Sequence, residues 1–280
     1  MRPSVFSYTR PATLADALRA LATGAVPLAG GQSLIQAMRL RTASPAAIVD
    51  LAGVAELSDE ITITDTHITI GARVTHRALA EHALLGAEMP WLREAALTVG
   101  DVQVRNLGTV LGNVCWADPR ANMAVALLAS DAVVTAVAPT HGELIDRIAL
   151  SDFFTGFRNH ALNGRLAINI EIKRHSGARG RYLEFSRQPQ DLALVNVCLV
   201  RGPQQVRVAI GGIDPMPVRL PEVEAAIATG DDADIVHALH QNLVRGRHAP
   251  VADHHGSDEY KLGLAVTLVR RALDHGAATA

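Results

Sequence analysis

The order of residue patterns along the chain predicts an α+β protein. A βαβ-like unit opens the sequence, a middle part alternates apolar and polar residues, and three strand-like runs come before a helical end. The opening unit places a loop at the carboxyl end of a strand, where open α/β sheets bind their ligands. The middle part carries a hairpin signature. Together these three observations favour separate sheet and helix regions within one folded chain.

The opening unit begins with a helix whose two ends are visible in the sequence. Thr13 is the predicted N-cap, an apolar face follows over residues 14–21, and Gly24 ends the helix. The rest of the unit consists of a strand over 26–28, a helix from Ser33 to a point before Pro45, and a strand over 47–51.

From Glu60 the patterns change. Alternation over 61–63 and 68–70 on either side of Asp65-Thr66 predicts a hairpin. Asp118 and Pro119 predict a helix that starts with aspartate as its cap and runs to residue 128. The stretch 177–180 is the best linker. The other predicted elements are helices over about 75–84, 91–99, 221–228, 231–243 and 257–273, and strands over 132–137, 166–172, 182–186, 193–200 and 206–211.

Composition excludes several classes of function. The formal charge is −2 with no basic run, which argues against a nucleic-acid partner. No apolar run reaches the roughly 20 residues that a membrane-spanning helix needs, and no apolar signal region follows Met1, so we expect a cytoplasmic protein. Cys115 and Cys198 are too few for an iron–sulfur cluster, and the histidines are scattered. We therefore expect no metal site, and electrons would have to pass through an organic cofactor.

Two glycine-bearing segments carry most of the functional information. They are the first segment, Ala29–Leu34, and the second segment, Val102–Asn113. Each places glycine and small polar residues after a short apolar run and near a predicted helix start. Backbone N–H groups in such a segment can approach a phosphate, and a helix N-terminus adds partial positive charge. Two of them suggest a ligand with two phosphates, although Gly30 and Gly31 alone would also suit a tight strand-to-helix turn.

The order and residue patterns of these segments resemble those of the flavin-binding subunit of the molybdenum hydroxylases. This family contains the carbon monoxide dehydrogenase medium chain and the xanthine dehydrogenase FAD subunit. Its members typically have A-G-G-x-S in the first segment and Q-I-R-N-x-G-T-I-G-G-N/D in the second, followed by D-P. Here the matching stretches are 29–33, 103–113 and Asp118-Pro119, and the resemblance extends nearly from end to end.

The resemblance implies an architecture. A two-subdomain FAD-binding domain of the PCMH/VAO type is expected over 1–175, with subdomains of about 1–55 and 56–175 that sandwich an extended FAD. A C-terminal domain like that of the carbon monoxide dehydrogenase flavoprotein, with a three-stranded antiparallel sheet and helices, is expected over 181–280.

The resemblance also implies the cofactor contacts. The first segment would cradle the pyrophosphate with help from the Ser33 hydroxyl, and the second would approach the diphosphate and ribityl chain. Asp118 stands where the family has a ribityl-contacting aspartate, and its alternative role is the helix cap. No catalytic acid or base is predicted. The implied FAD-contacting residues are Ala29, Gly30, Gly31, Gln32, Ser33, Leu34, Thr109, Val110, Leu111, Gly112, Asn113 and Asp118.

Neighbouring residues of the second segment are expected to support it. Arg105 is expected to order the segment through backbone carbonyls in preference to facing phosphate, because its five-donor fork suits that work. Cys115 and Trp116 are expected to pack beneath the segment in preference to contacting the flavin.

Three positions depart from the family pattern. Leu111 replaces a glycine, and would cost about 1–2 kcal/mol if that glycine had positive φ. Asn122 replaces the acidic residue after the D-P pair. Glu184 replaces a lysine that would lie near the pyrimidine edge of the flavin ring, where a carboxylate would disfavour the anionic reduced flavin.

The function implied by the resemblance is that of an FAD-dependent oxidoreductase subunit. It would receive electrons from an iron–sulfur subunit, in a complex with a molybdopterin subunit, and pass them to NAD⁺, O₂ or a quinone. One alternative is a standalone FAD-dependent oxidase or monooxygenase with the same fold. A second, which Leu111 and Glu184 suggest, is a cofactor-free scaffold subunit.

Overall fold

Three sheets of three or more strands organise the chain, one in each region that the sequence patterns separate. The computed structural model describes residues 2–139, 145–174, 177–203, 205–230, 232–244 and 255–277. Within these ranges no helix has the length and apolar character needed to cross a bilayer.

The first region is a small parallel sheet flanked by helices. Its central strand β3 pairs in parallel with both β1 and β2. The predicted cap is confirmed, since the Thr13 hydroxyl accepts from the Asp16 N–H at 3.2 Å. The sequence patterns missed β1, which is only three residues long. The elements are β1 (Ser7–Thr9), α1 (Leu14–Ala22), β2 (Val26–Leu28), α2 (Leu34–Arg39) and β3 (Ala47–Asp50).

The second region is a five-stranded antiparallel sheet in the order β4-β5-β10-β6-β7, with helices inserted between its strands. The predicted hairpin is confirmed as β4 and β5. A separate two-stranded hairpin, β8–β9, and the strand β7 were not predicted. The strands are β4 (Ile61–Ile63), β5 (His67–Gly71), β6 (Val133–Val137), β7 (Ile145–Ala149), β8 (Phe154–Gly156), β9 (Asn159–His160) and β10 (Leu166–Lys173). The helices are α3 (His76–Glu81), α4 (Ala83–Glu88), α5 (Pro90–Leu97), α6 (Val102–Leu107), α7 (Val110–Trp116), α8 (Asn122–Leu128) and α9 (Leu150–Phe153).

Two predicted helices of this region have different bounds. The helix expected over 75–84 is divided into α3 and α4, because His82 leaves the helical region with ψ 104°. The helix expected to start at Asp118 starts at Asn122 instead. Ala117 ends α7 with a left-handed φ of 51°, and residues 118–121 form a turn in which the Ala121 N–H donates to the Asp118 carbonyl. Asp118 is therefore not the helix cap.

The third region is an antiparallel sheet in the order β11-β12-β13-β14, with helices after it. The three predicted strands are present, and a two-residue fourth strand extends the sheet. Part of the predicted linker lies in β11, where a side chain on Gly180 would come 2.6 Å from the Trp91 ring. The strands are β11 (Arg179–Phe185), β12 (Val195–Arg201), β13 (Val206–Gly211) and β14 (Val218–Arg219). The helices are α10 (Pro221–Thr229), α11 (Asp232–Leu239), a π-helical turn (His240–Val244) and α12 (Asp258–Ala277).

The C-terminal sheet is buried on both faces. Tyr182, Cys198 and Ala209 belong to the core of the first two regions. Val197 and Ile210 face the other way, into the core that the sheet forms with α10, α11 and α12. A strand covered on both faces reads as a nearly continuous apolar run, as β12 does apart from Asn196 and the terminal Arg201. A polar side chain of this sheet, Asn196, reaches the turn after α7, where it donates to the Arg120 carbonyl.

Candidate cofactor site

The first segment forms the turn between β2 and α2. Gly31 has φ +74°, a left-handed conformation that favours glycine. Within the described residues, the N–H groups of Gly30, Gly31, Gln32 and Ser33 make no hydrogen bond, and the Ser33 hydroxyl does not cap α2. Partly buried backbone donors need a partner. This turn therefore offers several donors to an anionic ligand.

The second segment is not an open loop. It consists of α6 and α7, joined by Gly108 and Thr109. The Thr109 hydroxyl accepts from the Gly112 N–H at 3.1 Å, and the Thr109 carbonyl accepts from the Asn113 N–H at 3.0 Å. The Val110 N–H donates to the Val74 carbonyl. Because the N–H groups of Val110, Gly112 and Asn113 are used within the protein, this segment offers fewer free backbone donors than the first.

The structure brings the two segments into direct contact. A side chain on Gly30 would lie 1.9 Å from the Leu107 carbonyl oxygen, so only glycine allows the approach. The position of a side chain on Gly108 is 3.4 Å from Gln32 Cγ, and that on Gly112 is 3.8 Å from Ala29 Cβ. Gly31 thus serves the tight turn, whereas Gly30 serves the contact between segments.

Asp118 lies in the turn after α7 and is 1% exposed. Its Oδ1 accepts from the Arg120 backbone N–H at 3.0 Å and from Arg120 Nε at 3.2 Å. Its Oδ2 has no hydrogen-bond partner among the residues that the structure describes, and Arg158 Nη2 is 3.6 Å away. The guanidinium groups of Arg120 and Arg158 both lie beside this buried carboxyl group. One of its oxygens is therefore available as an acceptor.

Unpartnered acceptors and donors allow a test of whether FAD fits here. In the described part of the chain, buried Asn113 Oδ1, on α7, lacks a hydrogen-bond partner in the same way as Asp118 Oδ2. Ribityl hydroxyls are donors, so they match these two acceptors. The diphosphate is an acceptor, so it matches the free N–H groups of the first segment. The residues present therefore fit FAD. Among the described residues, no group of three or more His, Cys, Asp or Glu side chains is arranged to hold a metal ion.

Arg105 orders the second segment, as predicted. Its Nη1 donates to the carbonyls of Val99 and Gly100 at 3.1 and 2.8 Å. His76 supports the segment from the other side, since its backbone N–H donates to the Gly108 carbonyl at 3.0 Å. Burial, with a smaller contribution from the Arg105 charge, lowers the pKa of His76 to about 4. The imidazole beneath the segment is therefore neutral near pH 7.

Leu111 does not cause the strain that a positive φ would bring. It is a helical residue of α7, is 3% exposed, and packs in the main core. Cys115 packs against the same core, as expected, and burial raises the pKa of its thiol to about 12. Trp116 packs against Arg158, whose guanidinium lies 4.9 Å from its ring centroid.

Glu184 and Asn122, the other two departures, touch each other. Asn122 Nδ2 donates to Glu184 Oε2 at 2.6 Å, and the Tyr182 hydroxyl donates to the same oxygen at 2.8 Å. Burial raises the pKa of Glu184. The carboxyl group is thus held by side chains of β11 and α8.

Sequence reasoning missed Arg158. It lies at the tip of the β8–β9 hairpin with φ +50°, and its backbone N–H donates to the Ala117 carbonyl at 3.1 Å. The hairpin places it beside Asp118, forty positions earlier in the chain. No local pattern marks such a residue, because its role depends on a contact between distant segments.

Known proteins with the same fold identify the family. The family described as "FAD binding domain in molybdopterin dehydrogenase" matches residues 4–172, and "CO dehydrogenase flavoprotein C-terminal domain" matches residues 181–275. The glyceraldehyde dehydrogenase medium chain of Sulfolobus acidocaldarius is 31% identical over 97% of this chain and 98% of its own length. The carbon monoxide dehydrogenase medium chain of Afipia carboxidovorans is also 31% identical, over 100% of this chain and 99% of its own.

Solved structures agree with these relatives. A chain of reconstituted CO dehydrogenase from Oligotropha carboxidovorans superposes with a TM-score of 0.92 at 28% identity, over 100% of both chains. A chain of quinoline 2-oxidoreductase from Pseudomonas putida superposes with a TM-score of 0.89 at 26% identity, over 99% of both chains. The predicted fold and the FAD cofactor are confirmed, and the chain belongs to the family of FAD-binding medium subunits of the molybdenum hydroxylases.

Proposed function

We propose that this chain is the electron-transfer subunit of a molybdenum hydroxylase or dehydrogenase complex. It receives electrons from an iron–sulfur subunit and delivers them through FAD to NAD⁺, O₂ or a quinone. The observation that carries this proposal is the meeting of the two segments at Gly30 and Leu107, with free N–H donors on one side and unpartnered acceptors near the other, among the described residues.

The proposed cofactor contacts divide by chemical type. In the first segment, Ala29–Leu34, backbone N–H groups bind the diphosphate, and the Ser33 hydroxyl adds a donor. In the second, Asn113 and Asp118 accept from ribityl hydroxyls. The N–H groups of Val110 and Gly112 are used within the protein. The proposed contribution of the remaining residues, Thr109, Val110, Leu111 and Gly112, is therefore the shape of the start of α7.

The chain's own residues bind and orient, and FAD supplies the redox chemistry when bound, exchanging electrons singly with a cluster and in pairs with an acceptor. The proposal places the iron–sulfur cluster on a separate subunit. We infer a hetero-oligomer with an iron–sulfur and a molybdopterin subunit. Support comes from relatives whose names describe them as medium chains or subunits. A cytoplasmic location and a division into domains over 1–175 and 181–280 stay predictions.

The two residues that suggested a cofactor-free scaffold both fit a cofactor-binding protein. Leu111 fills the core without positive φ, and Glu184 is hydrogen-bonded to Asn122 and Tyr182. Neither side chain therefore argues against FAD. A standalone oxidase has no specific observation in its favour and becomes an outcome of the test.

The test combines a spectrum with a search for partners. We would purify the chain from its native host with a removable tag, record the visible spectrum, and identify the released cofactor by mass. The expected result is a flavin band, near-equimolar FAD, and co-purification of an iron–sulfur and a molybdenum protein. FAD in a chain that purifies alone and oxidises a small substrate in air would instead establish the standalone oxidase. A folded, colourless chain that ignores added FAD would overturn both.

A further inference from the structure

Two departures from the family pattern form one contact. Where the family has an acidic residue and a lysine, this chain has Asn122 and Glu184, whose side chains are joined by the 2.6 Å hydrogen bond. The amide and the carboxyl that meet here are complementary hydrogen-bonding groups. A charged residue at one position alone would leave a mismatch, because an aspartate at 122 would face the Glu184 carboxyl and a lysine at 184 would face the Asn122 amide.

The contact belongs to a polar cluster between β11, β12 and α8. Asn122 Nδ2 also donates to Thr98 Oγ1 at 2.9 Å, and Asn196 Nδ2 donates to the Tyr182 hydroxyl at 3.0 Å. Asn122, Tyr182 and Asn196 are each no more than 5% exposed. Buried polar groups are costly to leave unpaired, so the cluster fixes the relative positions of the elements that supply it.

The cluster holds the turn that carries Asp118. Asn196 Nδ2 donates to the Arg120 carbonyl at 3.0 Å, and the Gly212 N–H donates to the Pro119 carbonyl at 3.2 Å. Asn122 is bound to Glu184 at the end of the same turn. These hydrogen bonds join the C-terminal sheet to the turn over residues 118–121 and to Asn122, the first residue of α8, which together are called the 118–122 turn. A side chain on Gly211 would lie 2.4 Å from the Pro119 carbonyl oxygen, so the sheet and the turn are in close contact.

We propose that Asn122 and Glu184 act as a matched pair of positioning residues, through which the C-terminal sheet holds the 118–122 turn in the shape that presents Asp118 to FAD. The inference rests on the proposed role of Asp118 in binding FAD. It gives the C-terminal domain a part in cofactor binding by way of residues that need not touch the cofactor.

A double-mutant cycle tests the pairing. The affinity of the apoprotein for FAD is measured by titration, with Asn122→Asp, Glu184→Lys and the double variant compared with the original chain. Asn122→Asp sets a carboxylate against Glu184, and we expect the Kd for FAD to rise roughly tenfold. Glu184→Lys is expected to give a smaller rise. The double variant creates an oppositely charged pair, and its Kd is expected to return to within about threefold of the original.

Urea unfolding of each apoprotein separates positioning from general destabilisation. A purely structural role would shift the unfolding midpoint and leave the Kd of the folded protein unchanged. The matched control is Asp131→Asn, which breaks a different contact with the same sheet, the ion pairs of Asp131 with Arg207 and with Arg219. Asn tolerates the left-handed φ of 50° at that position. We expect this control to lower stability without changing the Kd for FAD.

Several outcomes would overturn the inference. They are additive effects in the double variant, unchanged FAD affinity in Asn122→Asp, or a Kd for Asp131→Asn that rises as much as that for Asn122→Asp. If the original chain binds no FAD, the proposed function fails first. If it binds FAD and the cycle shows no coupling, only the pairing fails.

Discussion

The two glycine segments resemble each other in sequence and differ in how they use their backbone. In the first, consecutive N–H groups from Gly30 to Ser33 make no hydrogen bond with the described residues. In the second, Thr109 and Val74 take the N–H groups of Val110, Gly112 and Asn113. Glycine content alone therefore does not indicate an open, donor-rich loop.

The difference teaches that a two-sided site need not be symmetrical. The first segment offers donors, which suit an anionic diphosphate. The second offers a rigid helix with side-chain acceptors at Asn113 and at Asp118 just beyond it. Gly30 matters to both sides, because it allows them to touch.

The largest expected effect comes from breaking that contact. In Gly30→Ala the new methyl group would lie 1.9 Å from the Leu107 carbonyl oxygen, a backbone atom that cannot rotate away. The segments must separate, at a cost of about 3 kcal/mol, and FAD affinity should fall roughly a hundredfold. Titration of the apoprotein with FAD measures this loss of affinity.

Gly263→Ala is the matched control, because Gly263 lies in α12 with no neighbouring atom of a described residue within 4 Å of the added methyl group. This variant should bind FAD normally. Retained affinity in Gly30→Ala would mean that the close contact is dispensable.

The second prediction concerns the pH dependence of stability and depends on His76, which packs against the second segment. Because the pKa of His76 is lowered to about 4 from its ordinary 6.5, the unfolded chain binds a proton between these values that the folded chain does not. Stability is therefore lost as the pH falls below 6.5. Between pH 7 and pH 5 this site should cost about 2 kcal/mol of unfolding free energy.

Urea unfolding of the original chain and of His76→Leu at pH 7, 6 and 5 checks this expectation. The stability of His76→Leu should depend less on pH by that amount, whereas a variant of the exposed His67, His67→Gln, should follow the original chain. Parallel pH profiles for the original chain and His76→Leu would show that the imidazole is not held neutral.

The smallest effects distinguish the two hydroxyl groups. Thr109 caps α7, so Thr109→Ala should lower the free energy of unfolding by about 1 kcal/mol. The Ser33 hydroxyl does not cap α2, so Ser33→Ala should change stability by less than about 0.5 kcal/mol. If the Ser33 hydroxyl binds phosphate, its removal should weaken FAD binding about fivefold. Denaturation of the apoproteins and FAD titration provide both numbers for each variant. Equal losses of stability would contradict the distinction between the segments.

Local patterns predicted the elements whose signals lie within a few residues. The Thr13 cap and the β4–β5 hairpin are where the sequence places them. The start of α8 was wrong because Asp118 has cap chemistry but uses its carboxylate on Arg120 in a preceding turn. The short strand β1 was missed because its partner β3 is distant in the chain. The strands β7 and β14 pair with the strand just before each of them, and were missed because their own patterns are weak.

The FAD contacts of the site residues stay a prediction, whereas the contact between the two segments at Gly30 and Gly112 is a result of packing. The sequence by itself determined the family, the cofactor and the two segments, because glycine at fixed positions and an Asp-Pro pair are local chemical requirements. Only the tertiary structure decided that Arg158 stands beside Asp118, that Leu111 points into the core, and that Asn122 and Glu184 are partners. Such contacts join residues up to 62 positions apart, and the energies of burial and hydrogen bonding that select them depend on the whole fold.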